Sequence, residues 1–358
     1  MSKNKLLLFS FMLLVAKLTA EPADSLKIKY SGYLEFFYAN DFYPSLDRTR
    51  QAFLVTHNRR DLVGLNLATV SAALSKNKWR GKFTAQAGTF PTDNYVTKAD
   101  KALRFVQEAS IGYAIDPGQK IWIDAGVMPS HLGYETAYGI DNWSASRSLA
   151  SELSPYFISG AKISYQLRKM TLTGLIFNSW DQIYTYKKGQ LPSIGTQIMY
   201  QRNKNTLINW STTLGSASHD AFNDMRAFSN FFVSWQSNPK EQFIASVDIG
   251  VQKTATYRGA YRSWFTPSLL YRRKINRDWY TSIRAEYFFD EFEAVTKAVD
   301  GFAFDLAGIS CNVDYLFTEN GMIRLEARLL HASGPYFPSP TEHIKNNRAL
   351  LLTINKKF

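Results

Sequence analysis

Residues 323–329 read Ile-Arg-Leu-Glu-Ala-Arg-Leu, a strict alternation of apolar and charged side chains. Successive side chains of an extended strand point to opposite faces, so the apolar residues share one surface. The charged residues Arg324, Glu326 and Arg328 share the other. A helix would place every third or fourth residue on one face instead. This stretch therefore predicts a strand with one apolar and one charged surface.

The same alternation recurs along nearly the whole chain after Leu26, for example from Phe243 to Val251 and from Trp79 to Ala87. Many of these segments run nine to twelve residues, close to the ~9–11 that cross a bilayer on a tilt. The sequence predicts sixteen strands, which begin near residues 26, 62, 79, 105, 121, 156, 169, 194, 205, 225, 241, 262, 278, 305, 322 and 347.

The connections between these segments alternate between short and long. Short turns carry residues that turns favour, such as Asp116-Pro117-Gly118 and Asn320-Gly321. Strict alternation of this kind is typical of up-and-down barrels in outer membranes. The longer loops are predicted at about 41–61, 91–104, 129–155, 179–193, 216–224, 253–261, 290–304 and 331–346.

Aromatic residues mark the short-turn ends of the apolar faces, where rings can anchor at the boundary between lipid and water. They are Trp79, Tyr113, Tyr165, Tyr200, Trp235, Tyr271, Trp279 and Tyr315. Together with the alternation, they predict an all-β fold. We expect an antiparallel up-and-down transmembrane β-barrel of about 16 strands, with short periplasmic turns and longer extracellular loops, in contact with outer-membrane lipid.

Both ends of the chain fit export to a bacterial outer membrane. Residues 1–20 carry Lys3 and Lys5 ahead of an apolar run, as a signal peptide does, which leaves 21–358 as the barrel. A buried amphipathic helix is the structural alternative for this run. The last strand ends at Phe358, and such an end resembles the signal that the outer-membrane assembly machinery reads. We therefore expect that machinery as a partner.

Composition excludes several classes of protein. A net charge of +12 suggests anionic partners, but the basic residues are dispersed and form no nucleic-acid module, so we expect no nucleic acid. The single cysteine, Cys311, permits no intramolecular disulfide.

We find no signature of an enzyme. There is no G-x-S-x-G elbow and no nucleotide-binding glycine pattern. His131 lies near Glu135, but zinc usually takes three or four ligands, so we interpret His131 as a solvated loop histidine. We therefore expect no catalytic residue, no metal and no cofactor.

If the apolar faces point to lipid, the polar faces line a water-filled lumen, because sixteen strands enclose more space than side chains fill. Rings of basic residues favour anions and rings of acidic residues favour cations. The two kinds nearly balance here, so we expect at most a mild anion preference. The predicted lining is Lys27, Lys29, Glu35, Arg80, Lys82, Glu108, Asp124, Lys162, Asp248, Arg284, Glu286, Asp314, Arg324, Glu326 and Arg328.

The longest loop, 129–155, is the third long loop and follows the fifth strand. In trimeric general porins the third loop folds inward and narrows the pore, and this loop resembles it in position and length. A surface loop packed on its neighbours is the alternative. We predict a pore constriction in which the basic wall at Arg80 and Lys82 faces Glu135, Asp141, Asn142 and Arg147. The sequence leaves open whether the chain forms a homotrimer.

Two stretches resemble the putative beta-barrel porin-2 (OmpL-like) family, and the resemblance covers nearly the whole mature chain. It implies a porin-like barrel but assigns no solute and no site residue. The first stretch is Asp124-Ala125-Gly126-Val127-Met128-Pro129 with Gly133-Tyr134-Glu135, Asn142, Ser144, Ser146, Ser148, Pro155-Tyr156 and Gly160-Ala161. The second runs from Asn58 to Tyr95, with Asn66, Ala68, Trp79-Arg80 and Gly88-Thr89-Phe90.

We therefore expect an outer-membrane porin for passive diffusion of small hydrophilic solutes. The alternative is a non-conducting outer-membrane barrel that acts as an interaction or assembly component through its loops.

Overall fold

A computed structural model of the chain describes residues 25–42, 48–95, 103–180, 182–184, 192–216, 225–253, 261–290, 294–296, 304–339 and 342–358. The predicted signal peptide, 1–20, lies outside these residues.

Sixteen strands form one closed antiparallel barrel. Each predicted strand exists and begins within one residue of its predicted start. The barrel strands are β1 Lys27–Asp41, β2 Val63–Lys76, β3 Trp79–Ala87, β4 Val106–Ala114, β5 Ile121–Pro129, β6 Phe157–Gln166, β7 Met170–Phe177, β8 Ser193–Asn203, β9 Thr206–Ser216, β10 Met225–Asn238, β11 Glu241–Lys253, β12 Tyr261–Lys274, β13 Trp279–Asp290, β14 Phe304–Thr318, β15 Gly321–Ala332 and β18 Asn346–Lys357.

Two short strands, β16 Phe337–Pro338 and β17 His343–Ile344, pair with each other in the last long connection. The helical elements are also short: α1 Thr89–Asn94, α2 Leu149–Glu152, and 3-10 turns at Leu103–Phe105 and Gly139–Asp141. Among the described residues, no helix has the length and apolar character needed to cross a membrane.

The barrel closes between its first and last strands. β1 pairs with β18 from Tyr33 opposite Lys357 to Asp41 opposite Ala349. The main chain of Phe358 extends this ladder, because its N–H donates to the Gly32 carbonyl at 3.0 Å and its carbonyl accepts from the Gly32 N–H at 3.3 Å. Closure pairs the two strands whose backbone groups would otherwise face lipid as edges.

The two faces of the wall differ as the alternation predicts. In β15, Arg324 and Glu326 are fully buried on the inside, whereas Leu325 on the outside is 52% exposed. In β1, Glu35 is fully buried and Phe36 is 44% exposed. A soluble protein buries its apolar residues, so this inverted pattern is that of a barrel surrounded by lipid.

The aromatic residues form pairs near the end of the barrel that carries the short turns, which we call the turn end. Trp79 lies opposite Tyr113 on the neighbouring strand with ring centroids 4.7 Å apart. Trp279 lies opposite Tyr315 in the same way, at 4.9 Å. These exposed rings build the predicted girdle. The opposite end carries the long connections, and we call it the loop end.

Candidate pore and the loop inside it

Residues 130–156, which connect β5 to β6 and which we call loop 3, lie inside the barrel. Arg324 of β15 holds the middle of this loop: its guanidinium donates to the carbonyl oxygens of Asn142 and Ser144 at 2.8 Å and of Gly139 at 3.1 Å. The same guanidinium pairs with Asp314 of β14 at 2.6 Å. Arg324 therefore joins the wall and the loop, because one group with five donors serves both.

Inward-facing carboxylates bind the backbone of loop 3 beyond this point. Glu326 accepts from the N–H groups of Ala145 at 2.5 Å and Ser146 at 2.9 Å. Glu286 of β13 accepts from the Leu149 N–H at 2.7 Å. Hydrogen bonds to ionised carboxylates are stronger than neutral ones, so each contact resists displacement of the loop.

Arginines complete the same set of contacts. Arg284 donates to the Ser146 carbonyl at 2.8 Å and pairs with Glu286 at 3.2 Å, and Arg328 pairs with Glu286 at 2.6 Å. All three of these wall residues are buried. The predicted lining residues of β13 and β15 thus face the interior, where loop 3 covers them.

The four predicted constriction residues occupy different positions within loop 3. The Oε2 of Glu135 accepts from the N–H and hydroxyl of Ser148, both at 2.8 Å, and Ser148 caps α2. Asn142 bonds the N–H and carbonyl of Thr136 at 2.9 and 3.0 Å. Glu135 and Asn142 therefore hold the loop in its own fold.

Arg147 and Asp141 differ in exposure. Arg147 is fully buried and donates to the Ala137 carbonyl at 2.8 Å. Asp141 has a side chain that is 40% exposed and pairs with Lys357 near the turn end at 2.5 Å. Of the four predicted constriction residues, Asp141 alone is exposed.

A sector of the inner wall from β3 to β6 keeps basic side chains in contact with solvent. Arg80 donates to Asp124 at 2.6 and 2.7 Å and lies over the Trp122 ring at 4.1 Å. Lys82 pairs with Glu108 at 2.7 Å. The side chains of Arg80 and Lys82 are 43% and 41% exposed. Lys162 of β6 faces the same side and is half-buried. The ion-pair partners of Arg80 and Lys82 thus lie in this sector of the wall.

The remaining predicted lining residues lie elsewhere on the inner face. Lys27 and Lys29 are exposed in the part of β1 that precedes its pairing with β18. Asp248 of β11 is buried and bonds the Asn230 side chain. Asp314, paired with Arg324, is fully buried.

The described residues 48–62 of the connection between β1 and β2, which we call loop 1, also reach the interior, through His57. His57 is fully buried, with Nε2 2.8 Å from the Oε1 of Glu35. The Tyr33 hydroxyl donates to the other oxygen of Glu35 at 2.7 Å. His57 lies in the predicted loop 41–61, but this contact could not be predicted, because no local pattern links residue 57 to the inner face of β1.

Glu152 of α2 connects loops 1 and 3. Its Oε2 accepts from the N–H groups of Val55 at 2.9 Å and Thr56 at 3.0 Å. Burial raises the pKa of Glu152 to about 7, and the bonds from Thr56 and Val55, with Arg328 and Arg147 nearby, only partly oppose the rise. A carboxyl that titrates near neutrality therefore sits in the contact between the two loops.

Apolar side chains cover the interior at the loop end, against the expectation of a uniformly polar inner face. Inward-facing residues near the ends of β10 and β12 to β15 pack against residues of several loops. This loop-end cluster comprises Phe53, Leu54, Leu132, Leu149, Phe228, Trp264, Phe288, Ala294, Phe304, Leu306, Leu330, Ala332 and Phe337. The loops thus share a core of their own within the barrel mouth.

The interpretation of His131 as a solvated residue is wrong. His131 is buried, with Nε2 3.1 Å from the Thr212 carbonyl and its ring 6.1 Å from that of Phe177. Burial lowers the pKa of His131. Within the described parts of the chain, no three His, Cys, Asp or Glu side chains are grouped as a metal site would require.

Comparison with known proteins supports the fold. A family model described as putative beta-barrel porin-2, OmpL-like, matches residues 27–358. Comparison with curated proteins found no match.

Solved porins share the architecture at low identity. The anion-selective porin from Comamonas acidovorans is 8% identical with a TM-score of 0.63, covering 93% of this chain and all of that one. The outer membrane channel DcaP of Acinetobacter baumannii is 10% identical with a TM-score of 0.63, covering 95% of this chain and 99% of its own. The trimer form of OmpT from Vibrio cholerae is 8% identical with a TM-score of 0.59, covering 94% and 100%.

Proposed function

The chain belongs to the putative beta-barrel porin-2 (OmpL-like) family, and from this premise we propose that it is an outer-membrane pore for passive diffusion of small hydrophilic solutes. The observation that carries this proposal is the solvent-accessible charged sector on β3 to β6. The side chains of Arg80 and Lys82 are about two-fifths exposed on the inner face of a wall whose outer face is apolar. Such charges favour a wetted interior over a packed one.

Loop 3 sets the constriction in this proposal. Asp141 contributes the charge that solutes meet, while Glu135, Asn142 and Arg147 shape the loop behind it. The basic residues Arg80, Lys82 and Lys162 outnumber Glu108 and Asp124 in the accessible sector, so the pore prefers anions mildly. A homotrimer is a further part of the proposal, supported by the trimer form of OmpT among similar folds, and the assembly machinery reads Phe358.

The loop-end cluster favours a second candidate, a non-conducting barrel that acts through its loops. An apolar core shared by several loops packs at the mouth of the barrel, and in this candidate it blocks the passage of solutes. This second reading differs from the first in one measurable property, the passage of ions.

Single-channel conductance in a planar bilayer, with the reversal potential under a salt gradient, distinguishes the two candidates. A pore gives stable steps with weak anion preference, and deletion of 131–150 enlarges the steps. The double variant R80Q/K82Q shifts the reversal potential toward cations, because it removes two of the accessible positive charges. A folded barrel that never conducts refutes the pore and supports the loop-mediated function.

A further inference from the structure

A cavity of about 230 Å³ lies between loop 3 and the inner wall of β9 to β12. Apolar side chains of the wall form one side, among them Phe232, Ile244 and Leu270. Loop 3 forms the other side with Tyr134 and Trp143, and Trp143 is only half-buried. This sector of the interior is therefore aromatic and apolar, unlike the charged sector on β3 to β6.

Glu135 lines the same cavity with a carboxylate that is not fully satisfied. Its side chain is 2% exposed, and Oε1 has no hydrogen-bond partner among the described residues. The Nη1 of Arg284 lies 3.7 Å from this oxygen, but Arg284 also serves Glu286 at 3.2 Å and Glu326 at 3.5 Å. Arg284 therefore serves three carboxylates, of which Glu286 also pairs with Arg328 at 2.6 Å, and the Oε1 of Glu135 keeps no hydrogen bond of its own.

Asp141 is the second carboxylate at this cavity, and it pairs with Lys357 at 2.5 Å. Asp141 lines the cavity and also an adjoining one of about 330 Å³ near the turn end. Within the part of the chain that the structure describes, no lysine or arginine lines the 230 Å³ cavity. In the adjoining cavity, Lys357 pairs with Asp141, and Arg272 pairs with Asp314 at 3.2 Å.

We propose that this cavity is a subsite for small organic cations that combine a protonated amine with an apolar ring or chain. The rings of Tyr134, Trp143 and Phe232 take the apolar part of the solute, since an aromatic face attracts both apolar groups and cations. The Oε1 of Glu135 receives the ammonium group, because a buried carboxylate gains most from a charged donor, and Asp141 receives it by exchanging its contact with Lys357. The inference rests on the proposed pore, since it names a class of solute that the pore would hold on its way through.

Binding is measured apart from passage, by isothermal titration calorimetry of the full folded protein in detergent at pH 7.5. The probes are 2-phenylethylammonium, ethylammonium and phenylacetate. We expect 2-phenylethylammonium to bind, phenylacetate not to bind, and ethylammonium to bind at least about tenfold more weakly, because it lacks the ring that the apolar wall buries.

Three variants locate the site. D141N and W143A each weaken 2-phenylethylammonium about tenfold or more, by loss of the charge and of the ring respectively. R80Q is the matched control in the other sector and leaves the affinity unchanged. The proposal is overturned if phenylacetate binds as tightly as the amine, or if D141N and W143A bind the amine like the parent protein. Binding without conductance would refute the pore alone, and conductance without binding would refute the subsite alone.

Discussion

Arg324 of β15 donates a hydrogen bond to the carbonyl oxygen of Ser144, 2.8 Å away, across 180 residues of sequence. The contact shows one way in which loop 3 is held: Arg324, Glu326, Glu286 and Arg284 all bind its backbone, and Glu326 and Arg284 also bind the hydroxyl of Ser146. A backbone carbonyl is present whatever the residue, so the wall specifies the position of the loop through its own charged side chains.

Arg324→Met is expected to release the middle of loop 3. The variant loses three bonds to the loop and leaves Asp314 buried without its closest partner, which costs about 3–5 kcal/mol of stability. Denaturant unfolding of the purified barrel measures the loss, and single-channel steps should grow. Arg80→Gln is the control, since that pair is partly exposed and contributes about 0–1 kcal/mol. Equal losses in the two variants would contradict a special role for Arg324.

The contact between loops 1 and 3 is expected to weaken as pH rises. Burial raises the pKa of Glu152 to about 7 in the packed arrangement, against 4.5 for a carboxyl in water. The packed loops therefore bind the proton more tightly than the released loops do. Their stabilisation is full below about pH 4.5 and is lost as pH rises through 7.

Hydrogen exchange at the Val55 and Thr56 amides tests this pH dependence. After correction for intrinsic rates, protection should be greater at pH 5 than at pH 8. Glu152→Gln should abolish the difference, because the amide does not titrate. Protection that rises with pH, or that varies with pH equally in the Gln variant, would refute the assignment to Glu152.

Gly126→Ala is expected to destabilise the wall between β4 and β5. Gly126 has a φ of +130°, and a Cβ placed there would lie 2.0 Å from the Ala109 carbonyl oxygen of the neighbouring strand. Strain in this backbone region costs on the order of 1–3 kcal/mol. Gly174→Ala serves as the control, because the nearest atom to its Cβ is 3.6 Å away. The midpoint of denaturant unfolding measures the stability of both variants. Identical midpoints would refute the expected strain at residue 126.

Phe358→Ala is expected to leave the stability of the closed barrel almost unchanged but to reduce its assembly in cells. The two bonds between Phe358 and Gly32 use main-chain atoms and survive the substitution. Stability in detergent should therefore change by less than about 1 kcal/mol, since the ring is mostly exposed. The amount of folded protein in the outer membrane of cells should fall severalfold if the assembly machinery reads the ring. Unchanged cellular levels would argue against that signal.

Local sequence patterns predict much of this structure. The alternation from Ile323 to Leu329 assigns each side chain to lipid or to the interior, and it does so because a strand repeats every two residues. The girdle pairs, such as Trp79 with Tyr113, also follow from position within a strand. Turn residues such as Asn320-Gly321 set where each strand ends.

Contacts between segments that are distant in sequence cannot be predicted from such local patterns. Glu326 points inward from its place in the alternation, but its binding to the amides of Ala145 and Ser146 depends on the path of loop 3. His57 and Glu152 carry no local signal of the interior at all. Phe228 and Trp264 are apolar side chains on the polar inner face. Their role is visible only in the tertiary structure, where they pack against loop residues.

The sequence by itself determined the class of fold, a count of about 16 strands and the alternation between an apolar and a polar face, because each follows from a period of two and from residues adjacent in the chain. The tertiary structure alone decided which inward-facing charges touch solvent and which bind loop 3, and where a cavity remains between them. Those outcomes depend on how a loop of about 27 residues fills a closed volume, and close packing couples groups that lie far apart in sequence.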